Sequence, residues 1–294
     1  MDQRRTSKIM DAIIRQMSQP EQQQLLDWAA LEGWNPGTND AELFWDLDPD
    51  GFMAIEVENE LVGGGAVIRH NSMFGFMGLF IVDKQFRAQK LGSRLWVARK
   101  ERLQSRLASG ATIGLDGVDE MVPFYERGGF QQFTRHRRFE FISTDTAPNP
   151  DAGLTELANI DFSDIEGLDE GCFPGNRHDF LRSWIEQDNA IGLGLVEKDR
   201  LRGYGLMRPC LSGWKVGPLI ADEAEIANRL WAGFARHSQG KSMFIDSPDN
   251  NPAAIRLCQS FSMTEVFGCQ RMYCGQPPEL DHARIFGITT LEVG

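Results

Sequence analysis

The seven residues Arg87-Ala88-Gln89-Lys90-Leu91-Gly92-Ser93 follow an apolar stretch that ends at Phe80-Ile81-Val82. They run into a segment in which Leu91, Leu95 and Ala98 recur at helical spacing. A loop that opens a helix offers backbone N–H groups with no helical partner, at the positive end of the peptide dipole, which is what a pyrophosphate requires. The small residues Ala88, Gly92 and Ser93 would let a phosphate approach the backbone. A plain strand-to-helix turn has the same pattern, and this segment alone does not choose between the two. A second string, GLDGVDEMVPFYERGGF (114–130), reads as a strand end, a helix closing on Gly128-Gly129, and a new strand starting at Phe130. It puts Tyr125 on that helix.

The elements around these residues occur twice, about 140 residues apart. FMAIEVENELVGGG (52–65) matches IGLGLVEKDRLRGYG (191–205), with Leu61 over Leu201 and Gly63 over Gly203. GLFIVD (78–83) lies over GPLIAD (217–222), Arg94-Leu95-Trp96 over Arg229-Leu230-Trp231, and Leu115-Asp116 over Ile245-Asp246. Each copy reads strand, polar turn, strand, strand, helix, strand. The second copy is four residues shorter between Asp222 and Arg229 than the first between Asp83 and Arg94, so it lacks room for the loop. It also has Cys258 over Tyr125, and a lone cysteine there reads as packing. The stretch 144–153, with two prolines and no large apolar residue, reads as a linker between domains at 1–143 and 154–294.

Composition narrows the class. The 294 residues are 41% hydrophobic and 24% charged, as in ordinary globular chains, and no apolar run is long enough to span a bilayer. The opening MDQRRTSKIM has no apolar signal core behind it, so a cytoplasmic protein is expected. A net charge of −12 repels nucleic acid and anionic lipid and favours cationic partners, although solubility alone would account for it. The five cysteines include no C-x-x-C and the five histidines are scattered, so neither a disulfide framework nor a metal site is expected. In Arg135-His136-Arg137-Arg138, the alternation of Phe133, Phe139 and Phe141 suggests a strand with an exposed basic face.

Taken together, the two strings resemble the GNAT superfamily of N-acetyltransferases. Val82, Arg87, Gly92, Phe124, Tyr125, Gly129 and Phe130 match the family's phosphate-loop and F-Y-x-x-x-G-F patterns, while Lys84, Lys90 and Val118 depart from them. The Lys90 departure is tolerable if the backbone there keeps a negative φ. The strings EGWNPG, DPDGF, GYGLMRP, VGPLIAD and IFGITTLEVG extend the likeness to tandem GNAT proteins with a YitH/HolE-type C-terminal domain. The resemblance implies an α/β (α+β) fold of two tandem GNAT-like domains, each a mixed, mostly antiparallel sheet flanked by helices.

It further implies that pantetheine of acetyl-CoA pairs with the open edge of the fourth strand at Phe80, Ile81 and Val82. The diphosphate would rest on the amides of Arg87, Ala88, Gln89, Lys90, Leu91, Gly92 and Ser93. Tyr125 would protonate the departing thiolate, and an amine, expected to be a small molecule, would attack the thioester directly. A phenol with an ordinary pKa near ~10 is a suitable acid for that step. FGFMGLFIV (74–82) contains no carboxylate to act as base. Glu32 is the first candidate, Asp116 and Glu120 are others, and water could also serve. Trp34 and Asn35 beside Glu32 are candidates to line the acceptor pocket. Acylation of protein lysines, transfer of longer acyl chains, and non-catalytic acyl-CoA binding are the competing functions.

Overall fold

The computed structural model describes residues 11–142, 153–238 and 240–294. The opening decapeptide and, except for Gly153, the expected linker 144–153 lie outside them. The first half runs β1 (Ala12–Gln16), α1 (Gln19–Leu31), α2 (Asp40–Leu47), β2 (Phe52–Val57), β3 (Glu60–Arg69), β4 (Phe74–Val82), α3 (Leu91–Arg106), β5 (Thr112–Gly117), α4 (Val122–Arg127) and β6 (Gln131–Ile142). The second runs β7 (Leu154–Glu156), α5 (Phe162–Asp169), α6 (His178–Glu186), β8 (Ile191–Glu197), β9 (Arg200–Pro209), β10 (Trp214–Ala221), α7 (Ala224–His237), β11 (Ser242–Pro248), α8 (Pro252–Ser260), β12 (Thr264–Cys274) and β13 (Ile285–Gly287). From β2 and β8 onward the two series match element for element.

Local chemistry accounts for much of this. Glu58-Asn59 and Lys198-Asp199 take positive φ at both positions, the twist that two-residue hairpins need between right-twisted strands. Gly129, at φ +89, ends α4 and turns the chain into β6. No helix among the described residues is long and apolar enough to cross a membrane.

The strands form one continuous mixed sheet in the order β1-β2-β3-β4-β5-β12-β6-β11-β10-β9-β8-β7, with β13 against β10. The halves exchange their last strands. β5 pairs with β12 of the second half, and β6 lies between β12 and β11. β6 therefore has strands on both sides, and the expectation of an exposed basic face holds for only half of it. Arg135 and Arg137 reach outward to Asp119, Asp249 and Glu265. His136 and Arg138 are buried, and Arg138 makes a two-pronged ion pair with Asp246 of β11 at 2.7 and 2.8 Å. Alternation along a strand assigns faces but does not say which face is covered.

Removing one partner of such a pair leaves a charge stranded in the core. Asp246→Asn should lower stability by about 3–5 kcal/mol in urea denaturation. Burial works to raise the Asp246 and Asp116 carboxyls, but Arg138 for the first and Arg271 with His136 for the second outweigh it and hold both below the ordinary range. Their stabilisation is therefore present above the unfolded carboxylate pKa of roughly 3.9 and is lost as pH falls toward the depressed folded values. Calorimetric scans of the wild type between about pH 5 and 3 should show a falling Tm, and the fall should be shallower in Asp246→Asn.

Candidate active site

β4 and β5 run parallel and pair from Phe74↔Thr112 to Met77↔Leu115, then separate. Where they part, β4 carries a bulge: Gly64 faces Ile81 and Ala66 faces Gly78, so Leu79 and Phe80 oppose Gly65 alone, and Leu79 takes φ +51. Arg99 of α3 holds this bulge from beneath. Its Nη2 donates to the carbonyls of Ala66 and Gly78, both at 2.6 Å, and its Cζ lies 4.9 Å from the Phe80 ring centre. Burial pushes its pKa down to about 10, leaving it charged at neutral pH. A side chain at Gly65 would overlap the guanidinium, which explains a glycine within a strand.

Beyond the split a cavity of about 450 Å³ opens. Phe80, Ile81 and Val82 form one wall, with Arg87, Ala88 and Gly92 at the end formed by the loop between β4 and α3, and Tyr125, Trp96 and Arg99 also lining it. Glu32, Trp34, Asp116, Arg138 and Cys269 also line it, as do Leu291 and Glu292 from the end of the second half. Asn35, Gln89, Lys90, Leu91, Ser93 and Glu120 do not line it.

The loop between β4 and α3 is exposed from Arg87 to Lys90, while Leu91 is buried beneath the helix. Ala88 and Lys90 both adopt left-handed φ, at +63 and +64. The negative-φ condition for Lys90 is thus not met. Alternating handedness turns successive N–H groups toward one point, which makes an anion-binding concavity, at a strain of about 1–3 kcal/mol per non-glycine residue. Ser93 faces solvent on the first turn of α3, and the Gln89 side chain donates to the Gln85 carbonyl at 3.2 Å. In the second half only Asp222 and Glu223 separate β10 from α7, so there is no such loop.

Tyr125 is buried, with its ring 5.1 Å from that of Trp96 and packed against Gly117. Burial pushes the phenol up to about 12, partly offset by the Arg99 charge. It is therefore protonated at neutral pH and able to donate.

The base candidates fare differently. The Glu32 carboxylate is engaged by Arg87 at 2.7 Å and lies 3.7 Å from Lys84, so it ties the end of α1 to the loop. Asp116, the second base candidate, is a buried acceptor for both arms of Arg271, at 2.9 and 2.7 Å. Glu120 is exposed outside the cavity. Trp34 lines the cavity, and its carbonyl accepts from Arg138 at 2.7 Å. Asn35 spends its side chain on the Ser212 backbone, donating and accepting at 2.9 Å, and so clamps this loop to the second half.

Asp116, His136 and Cys269 bring three donor atoms within 4.8 Å of one another. Both Asp116 oxygens already hold Arg271, and burial raises the Cys269 thiol well above its usual range, so the group is an ion-pair network rather than a free chelate.

Sequence reasoning used the closing segment 285–294 only for its likeness to tandem GNAT proteins and gave it no place in the site. In the second half, where β10 and β11 part after Val216↔Ile245, β13 pairs with β10 and the Ile288 N–H donates to the Asp246 carbonyl at 3.0 Å. That split is plugged by the protein's own chain. The segment then crosses to the first split, where Gly78 is the contact point: a side chain there would overlap the Glu292 carbonyl. The sequence signal for its placement is the alignment of Gly78 with Gly217, since Gly217 faces the carbonyls of Ile288 and Thr289 in the same way.

This arrangement, a parallel pair split over a bulge in both halves with an anion-ready loop beside the first alone, is that of an acyl-CoA-dependent acyltransferase. The chain belongs to the GNAT acetyltransferase family: family models described as Acetyltransferase (GNAT) domain match residues 39–144 and 165–287. It is 26% identical to holothin acyltransferase of Pseudoalteromonas sp. (strain SANK 73390), over 91% of this chain and 90% of that one. It is 30% identical to the uncharacterized N-acetyltransferase YitH of Bacillus subtilis (strain 168), over 60% and 61%. The fold is shared with a solved protein of Pyrococcus horikoshii at TM-score 0.81, with 22% identity over 96% of each chain. It is shared too with a tandem GNAT protein from the clavulanic acid biosynthesis pathway, at TM-score 0.67 and 12% identity over 91% and 99%.

The contact at Gly78 gives a direct check on the closing segment. Gly78→Ala should displace it and lower stability by about 1–3 kcal/mol in denaturant titration. Acyl transfer should fall with it, measured as thiol release at fixed acyl-CoA.

Proposed function

We propose that this acyltransferase moves the acetyl group of acetyl-CoA directly to a primary amine or arylamine of a small molecule. The observation that carries the proposal is the continuity of the cavity, which joins the phosphate loop, the open edge of β4 and Tyr125 to a wall built by the second half. The diphosphate binds the amides from Arg87 to Ser93, and pantetheine lies along Phe80, Ile81 and Val82. Glu32 and Trp34 flank the opening on the α1 side, where Asn35 fixes their loop. The amine attacks the thioester carbonyl, the C–S bond breaks, and the sulfur takes the Tyr125 proton. The enclosed volume suits a small acceptor, and the acidic chain favours a cationic one. A relative aligned over nine-tenths of its own length is named as an acyltransferase of holothin, which agrees with a dedicated acceptor.

Thermal-shift screening of the full chain with acetyl-CoA and a panel of primary amines and arylamines tests this reading, because a ligand that binds the native state raises Tm by mass action. No acetylation of any amine in the panel, followed by thiol release, would count against it. Calorimetry should find one acetyl-CoA per chain, since the second split is plugged and lacks the loop; two equivalent sites would contradict the assignment.

Tyr125→Phe should lower kcat by about 10²–10⁴-fold with little change in acetyl-CoA affinity. Unaltered turnover in the folded variant would remove the phenol from the mechanism.

A further inference from the structure

The base that β4 lacks has a counterpart across the split. The closing segment is held along its length. Ser247 Oγ donates to the Phe286 carbonyl at 2.9 Å, Arg177 Nη1 to Thr289 Oγ1 at 2.8 Å, and His70 Nε2 meets the Val293 carbonyl at 2.7 Å. Val293 packs in the core with Leu25, Leu26 and Leu79, so the segment lies on the sheet face covered by α1 and α2. Between these anchors Glu292 is 4% exposed and lines the cavity beside Gly78, where β4 and β5 part. Its carboxylate accepts from the Thr290 hydroxyl, and among the described residues no cation lies within ion-pairing distance.

Two of the three cations nearest it have carboxylates of their own, and the third is held by a backbone carbonyl. Arg138 pairs with Asp246, Arg208 with Asp40 at 3.0 Å, and Lys215 donates to the Asn35 carbonyl at 2.8 Å. Those three cations face Glu292 from β6, β9 and β10, with the thiol of Cys210 from the turn after β9, while Glu32 and Asp116 line the same cavity. A buried carboxylate without its own cation is costly unless one arrives.

We propose that Glu292 is a catalytic residue of the first half's site, delivered by the second half: it binds the acceptor's ammonium and takes its proton. This rests on the amine-acetyltransferase reading above. The ammonium pairs with the carboxylate and gives it one proton, which passes to water. The neutral nitrogen then forms the C–N bond as the C–S bond breaks and sulfur takes the Tyr125 proton. The second proton lost by nitrogen returns through Glu292 and water to the phenolate. The net change is acetylated amine, free thiol and one proton released.

The test is Glu292→Gln in the full chain, assayed with the wild type's best amine from the panel above. Acceptor kcat/KM at neutral pH should fall about 100-fold. The deficit should shrink as pH rises toward the amine's own pKa, because a free amine no longer needs the first deprotonation. Acetyl-CoA affinity by calorimetry should stay within about two-fold, and Glu292→Asp should recover part of the rate. A Gln variant with wild-type kcat/KM at every pH overturns the proposal while leaving acetyl transfer intact. A wild type that acetylates no amine instead overturns the reading beneath it. If the Gln variant does not fold, Thr290→Val, which keeps the carboxylate but removes its orienting hydroxyl, must lower acceptor kcat/KM several-fold; unchanged turnover refutes the assignment.

Discussion

Two parallel strands that begin as a pair and then part leave one edge of a buried strand without its ladder. Buried N–H and C=O groups must find partners, so something has to occupy each split. This chain has two splits and meets the requirement in different ways. Between β10 and β11, its own β13 and Ile288 supply the missing bonds. Between β4 and β5, the edge from Phe80 to Val82 faces a cavity, and the partner proposed for it is the pantetheine arm of an acyl-CoA. The short β10–α7 connection accords with the same difference, because on the proposed reading a plugged split has no diphosphate to hold.

The strand exchange makes these two outcomes interdependent. β5, one wall of the open split, is completed by β12, while β6 completes the second half against β11. Ion pairs cross the exchanged strands, Arg271 to Asp116 and Arg138 to Asp246. Arg138 also holds the Trp34 carbonyl, and Lys215 holds that of Asn35, so the loop at the cavity mouth is fastened by cations on β6 and β10. The second half has lost its loop and its tyrosine, yet it cannot be removed without unpairing β5. Its retention has a structural cause before any functional one.

What the sequence revealed was what local chemistry encodes. The hairpins at Glu58-Asn59 and Lys198-Asp199, the loop into α3 and the helix bearing Tyr125 each have their own signature, and duplication made the order of elements readable twice. The exchange of β6 and β12 has no such signature, because the two are equivalent strands of a repeat and either could complete either sheet. That ambiguity hid the burial of Arg138, whose neighbours Phe139 and Phe141 gave the alternation but not the covering strand. Lys90 failed for a different reason: a positive φ at a non-glycine residue is imposed by the loop's convergence and is not written in the side chain.

Glu292 was the least legible of all, one acidic residue among 42 in a segment without helical or strand periodicity. Its position depends on two glycines far away in the chain. Gly217 lets the closing segment enter the second split, and Gly78 lets it arrive at the first. The two residues are equivalent in the repeat, so one structural solution, a glycine where parallel strands part, is used for both contacts. In the second half it admits a plug. In the first it admits Glu292 and leaves beside it the open cavity proposed for acyl transfer.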